Sequence, residues 1–146
     1  MDTQIKLPES FSELLSTFCG KNIGLCCTKG KKVYFGVLKD VSKKSIAIEE
    51  KGVLKTIPFC HISSLSLPNE NNFSPEVAFE TIDSELFHKY QEFIGKKVTI
   101  RKKDNSPWDE TGIIKHIAKD YIVVLDTYDN VLNYLYANVE WDMIPR

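Results

Sequence analysis

The sequence predicts a mainly β protein made of two tandem five-stranded barrels, each preceded by a short α-helix. The stretch FCGKNIGL at residues 18–25 is nearly repeated as FIGKKVTI at residues 93–100. A helix pattern precedes both stretches, and a strand with a central glycine follows both. Such self-similarity is the signature of a repeated structural unit. We therefore expect copy one at 1–70, a linker at 71–80 and copy two at 81–146.

Each copy opens with a helix signal. In PESFSELLSTF, Ser10 and Glu13 have the spacing of a capping box, and the apolar positions 11, 14, 15 and 18 fall on one helix face. In DSELFHKYQEFIG, the apolar positions 86, 87, 90 and 94 form a similar face, with Asp83 as the expected N-cap. These patterns predict one short helix at the start of each copy.

The strands follow in the same order in both copies. The second strand of each copy holds Gly36 in VYFGVLKDV or Gly112 in DETGIIKHI, where a strand glycine indicates a bend or a close backbone approach. SIAIEE and YIVVLD are typical third strands, and the turns after them contain Gly52 and Asp129-Asn130. Two further apolar segments close each copy. Pro58, in the first of these segments of copy one, predicts a bulge or an edge strand, since proline cannot donate a hydrogen bond to a ladder.

With these segments in place, the chain resembles the Sm-like (Hfq-like) family of SH3-type barrels over nearly its whole length. Counting from the strand-two glycine, that family places apolar residues at +2, +5, +10 and +12. These positions hold Leu38, Val41, Ile46 and Ile48 in copy one, and Ile114, Ile117, Ile122 and Val124 in copy two. The closing segments HISSL and NVEWDMI are also similar to the family's fifth strand. The resemblance implies an N-terminal helix followed by a strongly bent five-stranded barrel, twice.

The residues with which Sm-like proteins bind RNA are largely missing. The loop after strand two usually carries Asp and then an aromatic or Asn, whereas this chain has Ser42 and Lys44, then Ala118 and Asp120. The basic motif before the closing strand is replaced by PFCHI and YLYANV. The side chains that still fall in the family's nucleotide loops are Lys43, Lys44, His61, Lys119, Tyr121, Tyr136 and Asn138.

Family members form rings by pairing strand four of one unit with strand five of the next. A tandem chain can make one such pairing internally. The resemblance therefore implies either chains that associate into a ring or two barrels that cover each other's edges in a closed monomer.

Charge is distributed unevenly along the chain. Residues 1–72 hold ten Lys and Arg against seven Asp and Glu, and residues 73–146 hold nine against thirteen, so the halves carry +3 and −4. The net charge of −1 argues against a protein that binds nucleic acid through phosphate attraction alone. Local basic turns remain, namely KGKK at 29–32 and RKK at 101–103.

These two turns are interpreted either as a cationic rim that contacts phosphates or as solvated hairpin tips. Trp108 has three possible roles: it stacks on a base, anchors a protein partner or folds back on its own barrel.

Catalytic and metal chemistry have little support. The four cysteines show no CxxC spacing and are expected to be buried reduced thiols, and the three histidines are too scattered for a metal site. Cys60 and His61 are neighbours in an expected strand and would point to opposite faces. We therefore expect no enzyme and no cofactor.

The N-terminal residues MDTQIKLPES do not resemble a secretory signal, and no apolar run reaches the roughly 20 residues needed to cross a bilayer. We therefore expect a cytoplasmic protein without a membrane partner.

Two functions remain open from the sequence. The first is a non-catalytic module that binds single-stranded RNA or a ribonucleoprotein, and the second is a protein-interaction adaptor or scaffold without nucleic-acid binding. The RNA hypothesis assigns the contacts to Lys29, Lys31, Lys32, Lys43, Lys44, Arg101, Lys102, Lys103, Trp108, Lys119 and Tyr121.

Overall fold

The computed structural model describes residues 5–27, 32–102 and 109–146. The first half of the chain comprises α1 (Phe11–Thr17), β1 (Asn22–Cys27), β2 (Val33–Val41), β3 (Ser45–Glu50), β4 (Val53–Pro58) and β5 (Ile62–Pro68). The second half comprises α2 (Glu85–Tyr90), β6 (Lys97–Lys102), β7 (Asp109–Ile117), β8 (Tyr121–Asp126), β9 (Val131–Tyr136) and β10 (Trp141–Pro145). Short 3₁₀ turns lie at Phe59–His61 and Gln91–Phe93.

The protein is mainly β, and its strands form one antiparallel sheet. The strand order is β10-β6-β7-β8-β9-β5-β1-β2-β3-β4, so each half has its fifth strand first, followed by its first to fourth. We expected two tandem five-stranded barrels, whereas the structure shows one open sheet that runs through both halves. The reason is that β5 pairs with β9, from Ser64 opposite Leu135 to Pro68 opposite Val131.

Both predicted helices form, although one cap differs from the prediction. Ser10 caps α1, since its side-chain oxygen accepts a hydrogen bond from the backbone N–H of Glu13 at 3.2 Å, as expected. The cap of α2 is Ser84, whose oxygen accepts from the N–H of Phe87 at 3.1 Å. The prediction of Asp83 was wrong because its carboxylate instead contacts Nε2 of His88 at 2.5 Å.

The strand glycines mark close backbone approaches, as predicted. A Cβ atom on Gly36 would lie 2.2 Å from the carbonyl oxygen of Glu49, and one on Gly112 would lie 2.6 Å from that of Leu125. No side chain fits at either position. The two glycines are equivalent, since each lies in the second strand of its half, opposite Ile23 or Val98 of the first strand.

A bulge follows each glycine and explains how the linker is held. The register of β2 with β3 shifts after Leu38, and that of β7 with β8 shifts after Ile114, which makes Lys39 and Lys115 the equivalent bulge residues. Lys39 lies at the surface, 3.5 Å from Glu49. Lys115 is buried, and its ammonium group donates hydrogen bonds to the carbonyls of residues 74 and 77. The predicted linker is therefore fastened to the second half.

Pro58 ends an edge strand, as predicted, because among the described residues β4 pairs with β3 alone. The strand expected at Cys60 and His61 is instead the 3₁₀ turn that follows this proline.

The halves share part of their core. One apolar cluster combines α1 and the interior of the first half with residues from the second, namely Ala118, Tyr121, Val123, Leu125, Leu132 and Tyr134. The other faces of β8 and β9 contribute Ile122, Val124 and Leu135 to a second cluster, the interior of the second half. Because β8 and β9 are buried on both faces, the two halves pack as one body.

Candidate interaction surfaces

The predicted cationic turns lie largely outside the described residues. This applies to Lys29, Lys31, Lys103 and Trp108. Lys32, immediately before β2, is exposed, and Lys102, at the end of β6, is half-buried. Both line one cavity between the halves, so the structure brings together the ends of the two turns.

Arg101 is engaged by a neighbouring strand. Its Nε and a terminal nitrogen donate to the two carboxylate oxygens of Asp109 at 2.8 and 2.9 Å. This bidentate pairing raises the pKa of Arg101 and lowers the pKa of Asp109. A phosphate would have to compete with that carboxylate for the guanidinium group.

The lysines after the second strands differ between the halves. Lys43 and Lys44 are both exposed in the turn between β2 and β3. Lys119, in the equivalent turn of the second half, lies 3.1 Å from the carboxylate of Glu9, and its backbone N–H donates to the carbonyl of that residue. Only the first-half turn therefore presents two lysines without an ion pair among the described residues.

Tyr121 was wrongly predicted to be an accessible contact. The residue is 0% exposed and packs in the first cluster, and its hydroxyl donates to the carbonyl of Pro8 at 2.5 Å. Burial raises the pKa of this hydroxyl. Its ring cannot stack on a base because both faces are covered by protein.

The start of α1 covers the second-half loops in which the sequence resemblance predicted nucleotide contacts. The backbone N–H of Phe11 donates to Oδ1 of Asp120 at 2.6 Å, across the two halves. The Phe11 ring stacks on Tyr136 with centroids 4.4 Å apart and planes 11° apart. An aromatic ring of the chain itself therefore covers one face of Tyr136, and that face cannot stack on a base.

The corresponding loops of the first half face those of the second. Asn138 donates weak hydrogen bonds to the carbonyls of Phe59 at 3.4 Å and Cys60 at 3.5 Å. His61 is half-buried in the same 3₁₀ turn. The two sets of closing loops thus contact each other at the junction of the halves.

An apolar groove runs along the outer face of the first half. It has a volume of about 810 Å³ and lies between β1, β2, the turn after β3 and the ends of β5 and β9. Val33 and Phe35 on its wall are 53% and 67% exposed, and Val37 follows on the same face. Gly24 leaves room for the Phe35 ring, since a Cβ there would lie 3.2 Å from it.

The second half has a polar surface at the equivalent positions. The ladder registers match Val33, Phe35 and Val37 with Asp109, Thr111 and Ile113. Asp109 binds Arg101, and the hydroxyl of Thr111 lies 3.4 Å from that of Thr99. The apolar groove of the first half therefore has no counterpart at the equivalent positions of the second half.

This groove was not predicted, although the sequence contains a signal for it. In VYFGVL, residues 33, 35 and 37 alternate with residues 34, 36 and 38, so both faces of β2 are apolar. The inner face packs in the core through Tyr34 and Leu38. In the part of the chain that the structure describes, no element covers the apolar outer face, a pattern typical of a binding surface.

The cysteines only partly match the prediction of buried thiols. Cys27 is buried and Cys26 is half-buried, whereas Cys19 and Cys60 are exposed. Desolvation raises the pKa of both Cys26 and Cys27, the latter to about 11. These two thiols are therefore poor nucleophiles at neutral pH.

In residues 5–27, 32–102 and 109–146, no three His, Cys, Asp or Glu side chains converge on a possible metal position. None of the helices described is long and apolar enough to cross a membrane.

No protein-family model matches this chain, and no curated protein sequence matches it either.

Proposed function

We propose that the two halves are tandem Sm-like units. The identical strand order, the equivalent glycines Gly36 and Gly112, and the equivalent bulges at Lys39 and Lys115 support a duplicated unit. The pairing of β9 with β5 joins a fourth strand to a fifth, which is the contact that the resemblance implies between neighbouring units. A duplicated unit would account for the similarity of residues 18–25 and 93–100.

The chain acts as a non-catalytic protein-interaction module, with the groove of the first half as its docking surface. The exposed apolar side chains of Val33 and Phe35 carry this proposal, because a soluble domain rarely leaves such side chains together at an open groove. The occupant is an extended segment of a partner protein that bears apolar side chains. Glu49, Glu50 and Lys51 at the rim offer polar contacts to its backbone.

A selection from a random peptide library on the intact chain tests this function. Enriched peptides are expected to be rich in aromatic and aliphatic residues and to lose roughly tenfold or more in affinity to Phe35→Ser, because a buried aromatic contact dominates such interfaces. Tyr128→Ser is the matched control, since Tyr128 is 92% exposed and lies outside the groove. Peptides that bind both variants equally well would place the site elsewhere.

RNA binding is the second candidate, and the exposed pair Lys43 and Lys44 favours it. Phosphate contacts make affinity fall steeply with salt. A titration with single-stranded oligonucleotides at low and moderate salt is expected to show binding that weakens in Lys43→Gln/Lys44→Gln and is unchanged in Lys6→Gln. An absence of binding at both salt concentrations would eliminate this candidate.

We infer that the chain works as a single copy and not as part of a ring. The junction between the halves buries the outer face of β8 and β9, which carries Tyr121, Val123, Leu125, Leu132 and Tyr134. When the β3–β4 pair of the first half is aligned with the β8–β9 pair by strand register, the equivalent positions hold Ser45, Ala47, Glu49, Leu54 and Thr56. This second set is mostly polar and forms no such apolar face, so it does not provide the contact that a next chain would need.

A further inference from the structure

The apolar groove of the first half continues into a cavity between the halves. The cavity has a volume of about 330 Å³ and is bounded by β1 and β5 of the first half and by β6, β7 and β10 of the second. Val33 lines both spaces. It lies opposite Cys26 of β1, and Cys26 lies opposite Ser64 of β5, so these three cavity residues form one row across the strands. The floor of the cavity therefore begins where the groove wall formed by Phe35 and Val33 ends.

Two ammonium groups, one from each half, line this cavity. Lys32 precedes β2 and is exposed, and Lys102 ends β6 and is half-buried. Burial raises the pKa of the Cys27 thiol in the cavity wall to about 11, and both ammonium groups oppose that rise, so both lie near this thiol. Neither lysine makes an ion pair with another residue that the structure describes. The end of the groove therefore presents two cations to a partner.

The carboxyl groups at the cavity do not neutralise both lysines. Asp109 is held on its two oxygens by Arg101. Within the described part of the chain, Glu110 makes no ion pair, and its Oε2 atom is sealed from solvent. Even with Glu110 ionised, two ammonium groups stand against one free carboxylate, so the cavity carries a positive charge. Charge complementarity then favours an anionic group of the partner.

The spacing along β2 sets where that anionic group lies in the partner. Phe35 and Val33 are two positions apart on one face of the strand, and Lys32 precedes Val33. A strand rises about 3.3 Å per residue, so the cavity begins about 7 Å beyond Phe35. An extended segment that lies along β2 covers this distance in about two residues, and the long lysine side chains extend the reach. The anionic residue is therefore expected about two to four positions from the residue that contacts Phe35.

We propose that the partner segment in the groove carries an acidic residue beside its apolar ones, and that Lys32 and Lys102 bind the carboxylate of this residue in the cavity. This inference rests on the proposed function, because it specifies the partner of the same groove. The binding site uses both halves, since Lys32 belongs to the first and Lys102 to the second. It exists because the pairing of β5 with β9 brings the ends of these strands to one cavity.

The probe is a library of nine-residue peptides with a fixed central Phe, selected on the intact chain at low salt. Enriched peptides are expected to carry Asp or Glu about two to four positions from the Phe. The affinity of one such peptide, measured by fluorescence polarisation, is expected to fall about tenfold when its acidic residue is replaced by the corresponding amide, because the amide makes no charged contact with the lysines. Equal affinity of the two peptides would overturn the inference.

Protein variants locate the contact. Lys32→Gln/Lys102→Gln is expected to lower the affinity of the acidic peptide about tenfold and to leave that of the amide peptide nearly unchanged, since both changes remove the same contact. Lys43→Gln/Lys44→Gln is the matched control, because it removes two positive charges from an exposed turn outside the groove and the cavity. Equal losses in the two variants would show that net charge, and not this cavity, attracts the peptide.

Phe35→Ser separates this inference from the proposed function. Peptides that lose affinity in Phe35→Ser but not in Lys32→Gln/Lys102→Gln would overturn the carboxylate site and leave the groove as the docking surface. Peptides that bind Phe35→Ser as well as they bind the unmodified chain would overturn both. If the lysine variant does not fold, the comparison of the acidic and amide peptides on the unmodified chain still decides.

Discussion

Gly36 and Gly112 are the residues at which the sequence and the structure agree most closely. Each allows a carbonyl oxygen of the neighbouring strand to occupy the space of a side chain. Gly36→Ala and Gly112→Ala are expected to lower the free energy of unfolding by about 2–3 kcal/mol, because a backbone atom cannot move aside without breaking the ladder. Urea unfolding at neutral pH measures this loss.

Gly24→Ala is the matched control for these substitutions. Gly24 also lies in a strand, but its nearest neighbour is the side chain of Phe35, which is exposed and can turn away. The cost there is expected to stay below about 1 kcal/mol. Equal losses at all three glycines would show that the carbonyl contact is not the cause.

His116 is expected to make the free energy of unfolding depend on pH. It is buried beside Phe79, its Nε2 atom has no hydrogen-bond partner in the part of the chain described, and desolvation lowers its pKa to about 4. At pH values below the ordinary histidine pKa of about 6.5, the His116 side chain is protonated in the unfolded chain but stays neutral in the folded chain. Stability is therefore full above that value and falls as the pH decreases towards 4.

The measurement is the urea midpoint at several pH values between 7 and 4. The contribution of His116 is expected to be roughly 2 kcal/mol over this range, and His116→Leu is expected to flatten the curve by that amount. A variant whose curve parallels that of the unmodified chain would show that this histidine is not responsible.

Residue-scale predictions succeeded where the cause is local. The Ser10 cap and the strand glycines depend on atoms of the same or the adjacent element. Tyr121 was placed wrongly because its burial depends on Pro8 and α1, which are far away in sequence. Propensity and spacing carry no information about such a contact.

At the scale of elements, α1 belongs to both halves of the molecule. The turn after α1 is attached to β2 of its own half, where the N–H of Gly20 donates to the carbonyl of Leu38, while the first residue of α1 is bound by Asp120 of the other half. Asp120→Ala is expected to cost about 1–2 kcal/mol, since it leaves the N–H of Phe11 without its acceptor. Hydrogen exchange of the α1 amides should accelerate in this variant, whereas the amides of β3 and β4 should be unaffected.

Asp120→Asn controls for the loss of the acceptor, because the amide oxygen can still receive the hydrogen bond. Its effect on exchange in α1 is expected to be clearly smaller than that of alanine. If the α1 amides of both variants are as protected as those of the unmodified chain, the contact between Phe11 and Asp120 does not hold the helix.

The order of helices and strands was largely predictable, because apolar periodicity, turns and prolines act within each segment. The run YIVVLD shows the limit of this reasoning. Its continuous apolar residues indicate a strand covered on both faces, as β8 is. The pattern does not show that one of these faces is covered by the other half.

At the scale of the whole molecule, the sheet has two free edges that are poorly suited to pairing. The N–H of residue 59 points into the sheet and donates to the carbonyl of Lys44, and the N–H of Arg146 likewise donates to the carbonyl of Lys97. Along a strand, successive N–H groups point alternately into the sheet and away from its edge. Pro58 and Pro145 therefore occupy positions at which another residue would point its N–H group away from the sheet, towards a partner strand. Each edge lacks a hydrogen-bond donor that a partner strand would need.

Light scattering coupled to size-exclusion chromatography tests the inference of a single copy. The mass is expected to be that of one chain, 16.7 kDa, and to be independent of concentration. Pro58→Thr restores the missing donor and is expected to increase association through β4, whereas Pro75→Thr, in the linker, is not. A concentration-dependent mass of the unmodified chain would favour the ring.

The sequence by itself determined the mainly β class, the two helices and the strand glycines, because each depends on residues within one segment. Only the tertiary structure decided that the halves form one open sheet, that α1 covers the loops of the second half, and that Phe35 is exposed while Tyr121 is buried. These features arise from contacts between residues distant in the chain, and burial is a property of the folded surface rather than of a residue's immediate neighbours.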